Sequence, residues 1–146
     1  MVSATEWPNK LYIEEEHHSK YDELLSKGES DTIPFRVAKE VFMYSVILGF
    51  LNSRKIPTKT RKEVIFEDYL DSNVDKPLLE CIYLIDSEQD DAILDKKAMT
   101  EVIQEYANGG FELLYDIVSQ GYDKIEALSH YLIQNYIKDS SIENST

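Results

Sequence analysis

The sequence is poor in the residues that build covalent or metal-held frameworks. Its 146 residues include one cysteine, Cys81, and three histidines. No internal disulfide can therefore form, and no cluster of Cys and His is available to close a structural zinc site. The fold must be held together by its apolar core, and this cysteine usage leads us to expect a reducing, cytoplasmic setting.

Long uncharged runs and basic residues are scarce as well. The uncharged run that begins at Val41 and includes Asn52 is far short of the roughly 20 apolar residues that cross a bilayer. The amino terminus lacks the regions of a signal peptide, so we expect no membrane association. Fifteen Lys and Arg stand against 28 Asp and Glu, and the net charge is -13. This excludes a protein whose whole surface binds nucleic acid and leaves room only for a local contact.

Length and periodicity predict one all-α domain. A chain of 146 residues with 42% apolar content fits a single compact domain, and apolar residues recur at helical spacing almost throughout. We predict five to seven helices over residues 11–138, an N-terminal extension over 1–10 and a flexible polar tail over 139–146. Phe35 to Leu51 is apolar on nearly every face, which indicates a buried central helix.

Local signals predict where the other elements begin and end. We expect a first helix from Leu11 to Leu25, and Gly49 either admits a close neighbouring helix or weakens the end of its own helix. The remaining predictions are a stop at Lys27–Thr32 with a new start at Asp31 or Thr32 before Pro34, a short helix or packed turn at Val64–Phe66, a helix from Asp75 to Ile85 that buries Cys81, a helical stop at Asn108-Gly109-Gly110, and a bend or break at Gly121.

Motifs that would identify an enzyme are missing from the sequence. It contains no phosphate-binding glycine loop, no dinucleotide fingerprint, no nucleophile elbow and no H-E-x-x-H. Glu14 and His18 would share a helix face and could reach a metal, but a third ligand is missing nearby, so a solvated acidic face is the favoured interpretation. His130 is interpreted as a surface or satisfied core histidine. We therefore predict no catalytic residue, no metal and no cofactor.

The charge distribution supplies the candidate site. Five cations, which we call the basic segment, lie within nine residues around Pro57: Arg54, Lys55, Lys59, Arg61 and Lys62. They directly precede an acidic block from Glu67 to Asp95, which holds ten carboxylates and a single lysine, Lys76. The basic segment would contact phosphates or an acidic partner while the acidic block meets a basic protein. The alternative is that neighbouring acids simply neutralise the basic segment.

Ten tyrosines fall mostly on the apolar stripes. Packing with a wet hydroxyl explains them most simply, and anchoring of a protein interface is the functional alternative.

Two stretches resemble a known family. Thr32 to Asn52, TIPFRVAKEVFMYSVILGFLN, followed by Arg54-Lys55-Ile56-Pro57, is similar to a helix and loop in small proteins associated with DNA phosphorothioation (dnd) defence systems. Glu105 to Gly110, EYANGG, resembles their helix-ending motif. The resemblance implies an accessory protein of bacterial DNA modification or antiphage defence, and it carries over no catalytic residue.

These observations favour a non-enzymatic accessory module that binds a protein partner within such a complex. A second hypothesis is an acidic DNA mimic that occupies the basic cleft of a nuclease or a DNA-modifying enzyme. A third is an enzyme of unrecognised type that uses the Glu14 to His18 cluster. The sequence sets neither the partner nor the oligomeric state.

Overall fold

The computed structural model describes residues 6–25, 35–88, 95–119 and 124–137. Within these ranges the chain is mostly helical, with five α-helices and one small two-stranded sheet. The elements are β1 (Lys10–Ile13), α1 (His18–Glu23), α2 (Ala38–Leu51), β2 (Lys62–Phe66), α3 (Asp75–Ser87), α4 (Lys96–Val118) and α5 (Lys124–Leu132). Short 3-10 turns cover Glu15–His17 and Glu67–Tyr69, and a π-helical turn, Ile133–Ile137, follows α5. No helix in these ranges is long and apolar enough to cross a membrane.

The centre of the fold is the contact between α2 and α4. The predicted buried helix is present as α2, where Val41, Phe42 and Val46 have no exposed surface. It begins at Ala38, three residues later than predicted, because the Glu40 carboxylate accepts hydrogen bonds from the Arg36 and Val37 amides and caps the helix there. The long helix α4 covers α2 with a buried face that includes Ile103, Phe111 and Leu114.

Glycines let α2 and α4 approach to backbone contact. A Cβ on Gly110 would lie 1.7 Å from the Ser45 carbonyl oxygen, and one on Gly49 would lie 2.2 Å from that of Tyr106. Neither position can therefore carry a side chain at this helix separation. The close-approach alternative for Gly49 is confirmed. The predicted stop at Gly109-Gly110 is wrong, because α4 continues to Val118 and the glycines serve this contact instead of a C-cap.

The prediction of an all-helical domain needs a correction, because two segments predicted as helix or turn form a sheet. β1 and β2 pair antiparallel, with Leu11 opposite Ile65 and Lys10 opposite Phe66. Leu11 and Ile13 alternate with more exposed neighbours and are buried. Four residues are too few for this alternation to be distinguished from a helical pattern, and the partner strand lies some fifty residues away along the chain.

Three smaller predictions have different outcomes. Only His18–Glu23 of the predicted first helix is α-helical. Cys81 is exposed, not buried, because the buried face of α3 carries Leu79, Ile82 and Tyr83 instead. His130 lies on the surface, as one of the two interpretations expected. The predicted helix boundary at residues 27–34, the bend at Gly121 and the tail over 139–146 lie outside the described residues.

The α2–α4 contact predicts an unusual sign for a glycine substitution. An alanine in a helix interior is normally worth about 1 kcal/mol more than glycine. Gly110→Ala should instead lower the free energy of unfolding by about 1 to 3 kcal/mol, because the methyl group forces the two helices apart. Denaturant unfolding measures this. Asp116→Ala, on the exposed side of α4, is the matched control and should change stability by less than about 0.5 kcal/mol. A stabilised Gly110→Ala protein would contradict the packing described here.

Candidate functional site

The basic segment leaves α2 through a defined helix end. Ser53 has a φ of 53°, and its amide donates to the Phe50 carbonyl while the Arg54 amide donates to that of Gly49. These two bonds form a Schellman motif, which satisfies the last carbonyls of a helix. They turn the chain so that the backbone of Arg54 runs against Gly109, where a Cβ would lie 2.1 Å from the Arg54 carbonyl oxygen.

Hydrogen bonds from α4 hold the segment in place. The Ile56 amide donates to the Glu105 carbonyl oxygen, and the Arg54 guanidinium donates through Nε to the Gly109 carbonyl at 3.0 Å. Asn108, buried on the same face, donates through Nδ2 to the carbonyls of Ile56 (3.1 Å) and Pro57 (3.2 Å). The residues around Pro57 therefore form an ordered loop built onto α4.

Glu14 fastens the other end of the segment. Its carboxylate accepts hydrogen bonds from the Lys59 amide (2.9 Å), the Thr60 amide (2.8 Å) and the Thr60 hydroxyl (2.6 Å). The Glu15 amide in turn donates to the Thr60 hydroxyl oxygen at 3.2 Å. Burial alone raises the pKa of the Glu14 carboxyl, but the bonds from Thr60 and Lys59 outweigh it, and the pKa lies below its ordinary value of 4.5.

Three of the five cations of the basic segment are paired with carboxylates. Arg54 contacts Glu112 of α4 at 3.1 Å. Lys55 contacts Asp86 of α3 at 3.0 Å. The third, Arg61, contacts Glu101 of α4.

The Asp86 carboxylate also accepts a 2.6 Å hydrogen bond from the Tyr106 hydroxyl. Burial first, and this bond to Asp86 second, raise the pKa of Tyr106 to about 12. Lys55 thus belongs to a three-residue network between the segment, α3 and α4.

The other two cations of the basic segment differ from the three that form ion pairs. Lys59 and Lys62 are exposed, and no ion pair joins either one to a carboxylate within the described ranges. Lys62 is also the first residue of β2, so a rigid element carries it. The predicted site is thus divided, with three side chains engaged within the fold and two directed to solvent.

A cleft of about 580 Å³ separates the segment from the turn before α1. It is lined by residues of three parts of the chain: Glu14, Glu15 and Glu16; Ile56, Pro57, Lys59 and Thr60; and Asn108 and Glu112 of α4. Its lining carries four carboxylates and one lysine. The favoured interpretation of the Glu14 to His18 cluster, a solvated acidic face, holds for Glu15 and Glu16, which are exposed. It is wrong for Glu14, which is buried because its carboxylate binds the loop. Within the described residues, no three His, Cys, Asp or Glu side chains form a cluster that could hold a metal ion.

His17, next to this cleft, is buried against the ring of Phe111, with ring centroids 4.7 Å apart. Its Nδ1 has no hydrogen-bond partner in the described part of the chain. Burial lowers the pKa of His17 below 6.5, although the nearby carboxylates of Glu112 and Glu16 act in the opposite direction. The folded protein therefore holds this imidazole neutral, as a core side chain.

Most of the acidic block is also engaged within the protein. Four of its carboxylates form ion pairs: Glu67 with Lys76 (2.7 Å), Asp75 with Lys39 (2.9 Å), Glu80 with Lys96 (3.4 Å) and Asp86 with Lys55. Two more cap backbone amides, Asp71 those of Asn73 and Val74, and Asp95 that of Ala98. Among the described members of the block, Asp68 and Glu88 remain outside these ion pairs and caps.

Two residues of the site were not singled out correctly by sequence reasoning. Asn108 is part of the predicted helix stop, yet it supports the loop from within a continuing helix. Glu14 is part of a candidate metal cluster, yet it caps a loop forty-five residues away. No local pattern predicts either role, since both depend on contacts between segments distant in sequence.

The cap formed by Glu14 predicts a pH-dependent loss of stability. Glu14→Gln replaces an acceptor-only carboxylate by an amide and should lower the free energy of unfolding by about 1 to 3 kcal/mol at pH 7. Because the folded pKa is below 4.5, the advantage of the wild type is complete above that pH and is lost as pH falls through the folded value. Unfolding curves at pH 7 and near pH 3.5 measure the difference.

Glu15→Gln, at an exposed neighbouring position, is the control for this measurement and should be near neutral at both pH values. A pH-independent deficit in Glu14→Gln would contradict the cap.

Comparison with known proteins identifies a family. The family model described as DNA sulphur modification system-associated protein 4 matches residues 12–146. The chain therefore belongs to this family, in agreement with the resemblance noted in the sequence. No curated protein and no solved structure matches the chain.

Proposed function

We propose that this member of the DNA sulphur modification system-associated family is a non-enzymatic accessory protein that binds a protein component of the modification machinery. The family supplies the system in which it acts. The observation that carries the proposal is the internal pairing of charge. Three cations of the basic segment and six carboxylates of the acidic block are committed to contacts within the fold.

This pairing bears on the two nucleic-acid alternatives. A DNA mimic needs rows of carboxylates free to replace phosphates, whereas here ion pairs and backbone caps occupy most of the block. A DNA-binding loop needs convergent free cations, whereas Arg54, Lys55 and Arg61 are neutralised by Glu112, Asp86 and Glu101. The surface still offers large apolar side chains, among them Phe66 (49% exposed) and Ile85 (63% exposed). Such side chains favour a protein partner.

Salt dependence distinguishes a protein-binding module from a mimic. The full chain is titrated with each purified protein of the modification system at 0.15 M and 0.5 M salt. At 0.5 M salt the Debye length is only about 4 Å, so interactions between charges are screened. A complex made mainly through apolar contacts does not depend on these interactions and should keep its Kd within about tenfold. Duplex DNA added as competitor should not displace the chain. A complex that dissolves at 0.5 M and yields to DNA would establish the mimic instead, and failure of every component to bind would overturn the proposal.

Lys59 and Lys62 favour a second, subordinate role, a local phosphate contact within the complex. Both are exposed and lie outside the ion pairs of the basic segment. The isolated chain, with net charge -13, should bind free duplex DNA weakly or not at all.

In a complex that binds DNA, Lys59→Ala with Lys62→Ala should reduce the slope of log K against log salt by up to about two units. Lys97→Ala, an exposed lysine on α4, is the control and should leave the slope unchanged. An unaltered slope in the double variant would show that both lysines are solvated surface.

A further inference from the structure

The helix α3 has apolar side chains on two faces, one buried and one exposed, and its charged side chains are partly buried. Its four charged side chains, Asp75, Lys76, Glu80 and Asp86, are between 12% and 25% exposed, and each forms an ion pair with another element. Its apolar side chains include Leu78 and Ile85, which are 38% and 63% exposed. A surface helix normally directs its charges to water and its apolar side chains to the core. On α3 the ionic contacts fasten the helix to the protein while an apolar face remains open.

The open face has the spacing of a helix-packing seam. Val74, at the start of the helix and 64% exposed, is followed by Leu78, Cys81 and Ile85. The steps are four, three and four residues, which place all four side chains on one stripe. No charged residue interrupts this stripe between Val74 and Ile85. Because 29% of the residues are charged, an uncharged apolar stripe of this length is not expected on a surface that contacts only water. Such exposed apolar surfaces are typical of interaction sites.

Charge and size decide what kind of molecule fits this stripe. A second copy would bring another net charge of -13, and the two would repel. The stripe offers four apolar side chains, whereas a standard interface uses about 20 to 30 residues on each side. A basic partner is instead attracted, because exposed acids lie near both ends of the stripe. Glu88 lies three residues after Ile85. Asp71 lies three residues before Val74, and its cap of the Asn73 and Val74 amides uses one carboxylate oxygen, Oδ1.

We propose that the stripe of Val74, Leu78, Cys81 and Ile85 on α3 docks an amphipathic helix of the partner protein, with Lys or Arg beside its apolar residues. This inference rests on the proposed function and assigns a surface to it. The apolar contacts supply most of the affinity, and the basic flanks set the orientation of the helix between Asp71 and Glu88.

The lone cysteine provides the test, because Cys81 lies within the stripe. Two synthetic helical peptides serve as probes, with identical leucines at steps of four, three and four and with either Lys and Arg or Glu beside them. The rate of Cys81 alkylation by iodoacetamide is measured on the full chain with each peptide. The basic peptide should slow alkylation at least fivefold, and the acidic peptide should not. Equal protection by both peptides, or by neither, would overturn the proposal.

Variants then assign the effect to the stripe. Leu78→Asp with Ile85→Asp should weaken binding of the basic peptide at least tenfold, while Ile133→Asp with Ile137→Asp, at exposed apolar positions after α5, should leave it unchanged. Thermal melts verify that both variants are folded, as expected for exposed positions. Binding that survives the α3 variant would overturn the proposal. So would sedimentation of the free chain as a dimer that crosslinks through Cys81, since the stripe would then serve a second copy.

The same α3 variant separates this inference from the proposed function. If the variant still binds the components of the modification system with unchanged Kd, the α3 surface is wrong and the accessory function stands. If no component binds the wild type although the basic peptide protects Cys81, the proposed function fails and the docking surface stands.

Discussion

Backbone contact between α2 and α4 is the constraint on which the rest of the structure depends. Gly49 and Gly110 let the two helices meet without intervening side chains, and this separation fixes where the end of α2 lies against α4. Gly109 extends the same contact to Arg54. The close packing that buries Val41 and Phe42 and the position of the basic segment thus have one origin, the absence of three Cβ atoms. Because protein interiors are close-packed, a change in this helix separation would be felt throughout the core.

The helices could be predicted from the sequence where their signal is local. The buried central helix and the helix predicted from Asp75 are both present, as α2 and α3. The sheet could not, because each strand has only four or five residues and its partner lies across the fold. The prediction of a helix end at Gly109 and Gly110 was wrong for a related reason. The same residue type ends a helix or admits a neighbouring backbone, and only the three-dimensional contact distinguishes the two.

The candidate site shows the same limit. The basic segment and the acidic block can be identified from the sequence, but the residues with which their side chains form ion pairs cannot. Lys55 pairs with Asp86 across 31 residues, and Arg61 pairs with Glu101 across 40. In the sequence, the basic segment and the acidic block look like two surface patches of opposite charge. In the structure, most of these charged side chains instead form ion pairs or backbone caps within the fold. Such partners follow from topology, and a single sequence with weak local signals does not specify topology. The same limit applies to α3, because its helical period is visible in the sequence but the sequence does not show which of its two apolar faces is buried.

The small sheet has a consequence for how this protein can associate with others. A two-stranded sheet exposes two edges, and open edges are sites where chains add to one another in aggregates. Here the pairing slips between Leu11 and Tyr12 to form a bulge, and the Tyr12 amide is occupied by the side chain of Gln104 at 2.9 Å. Both devices discourage another strand from joining. A further strand is therefore less readily added at the β1 edge than at an open, regular edge.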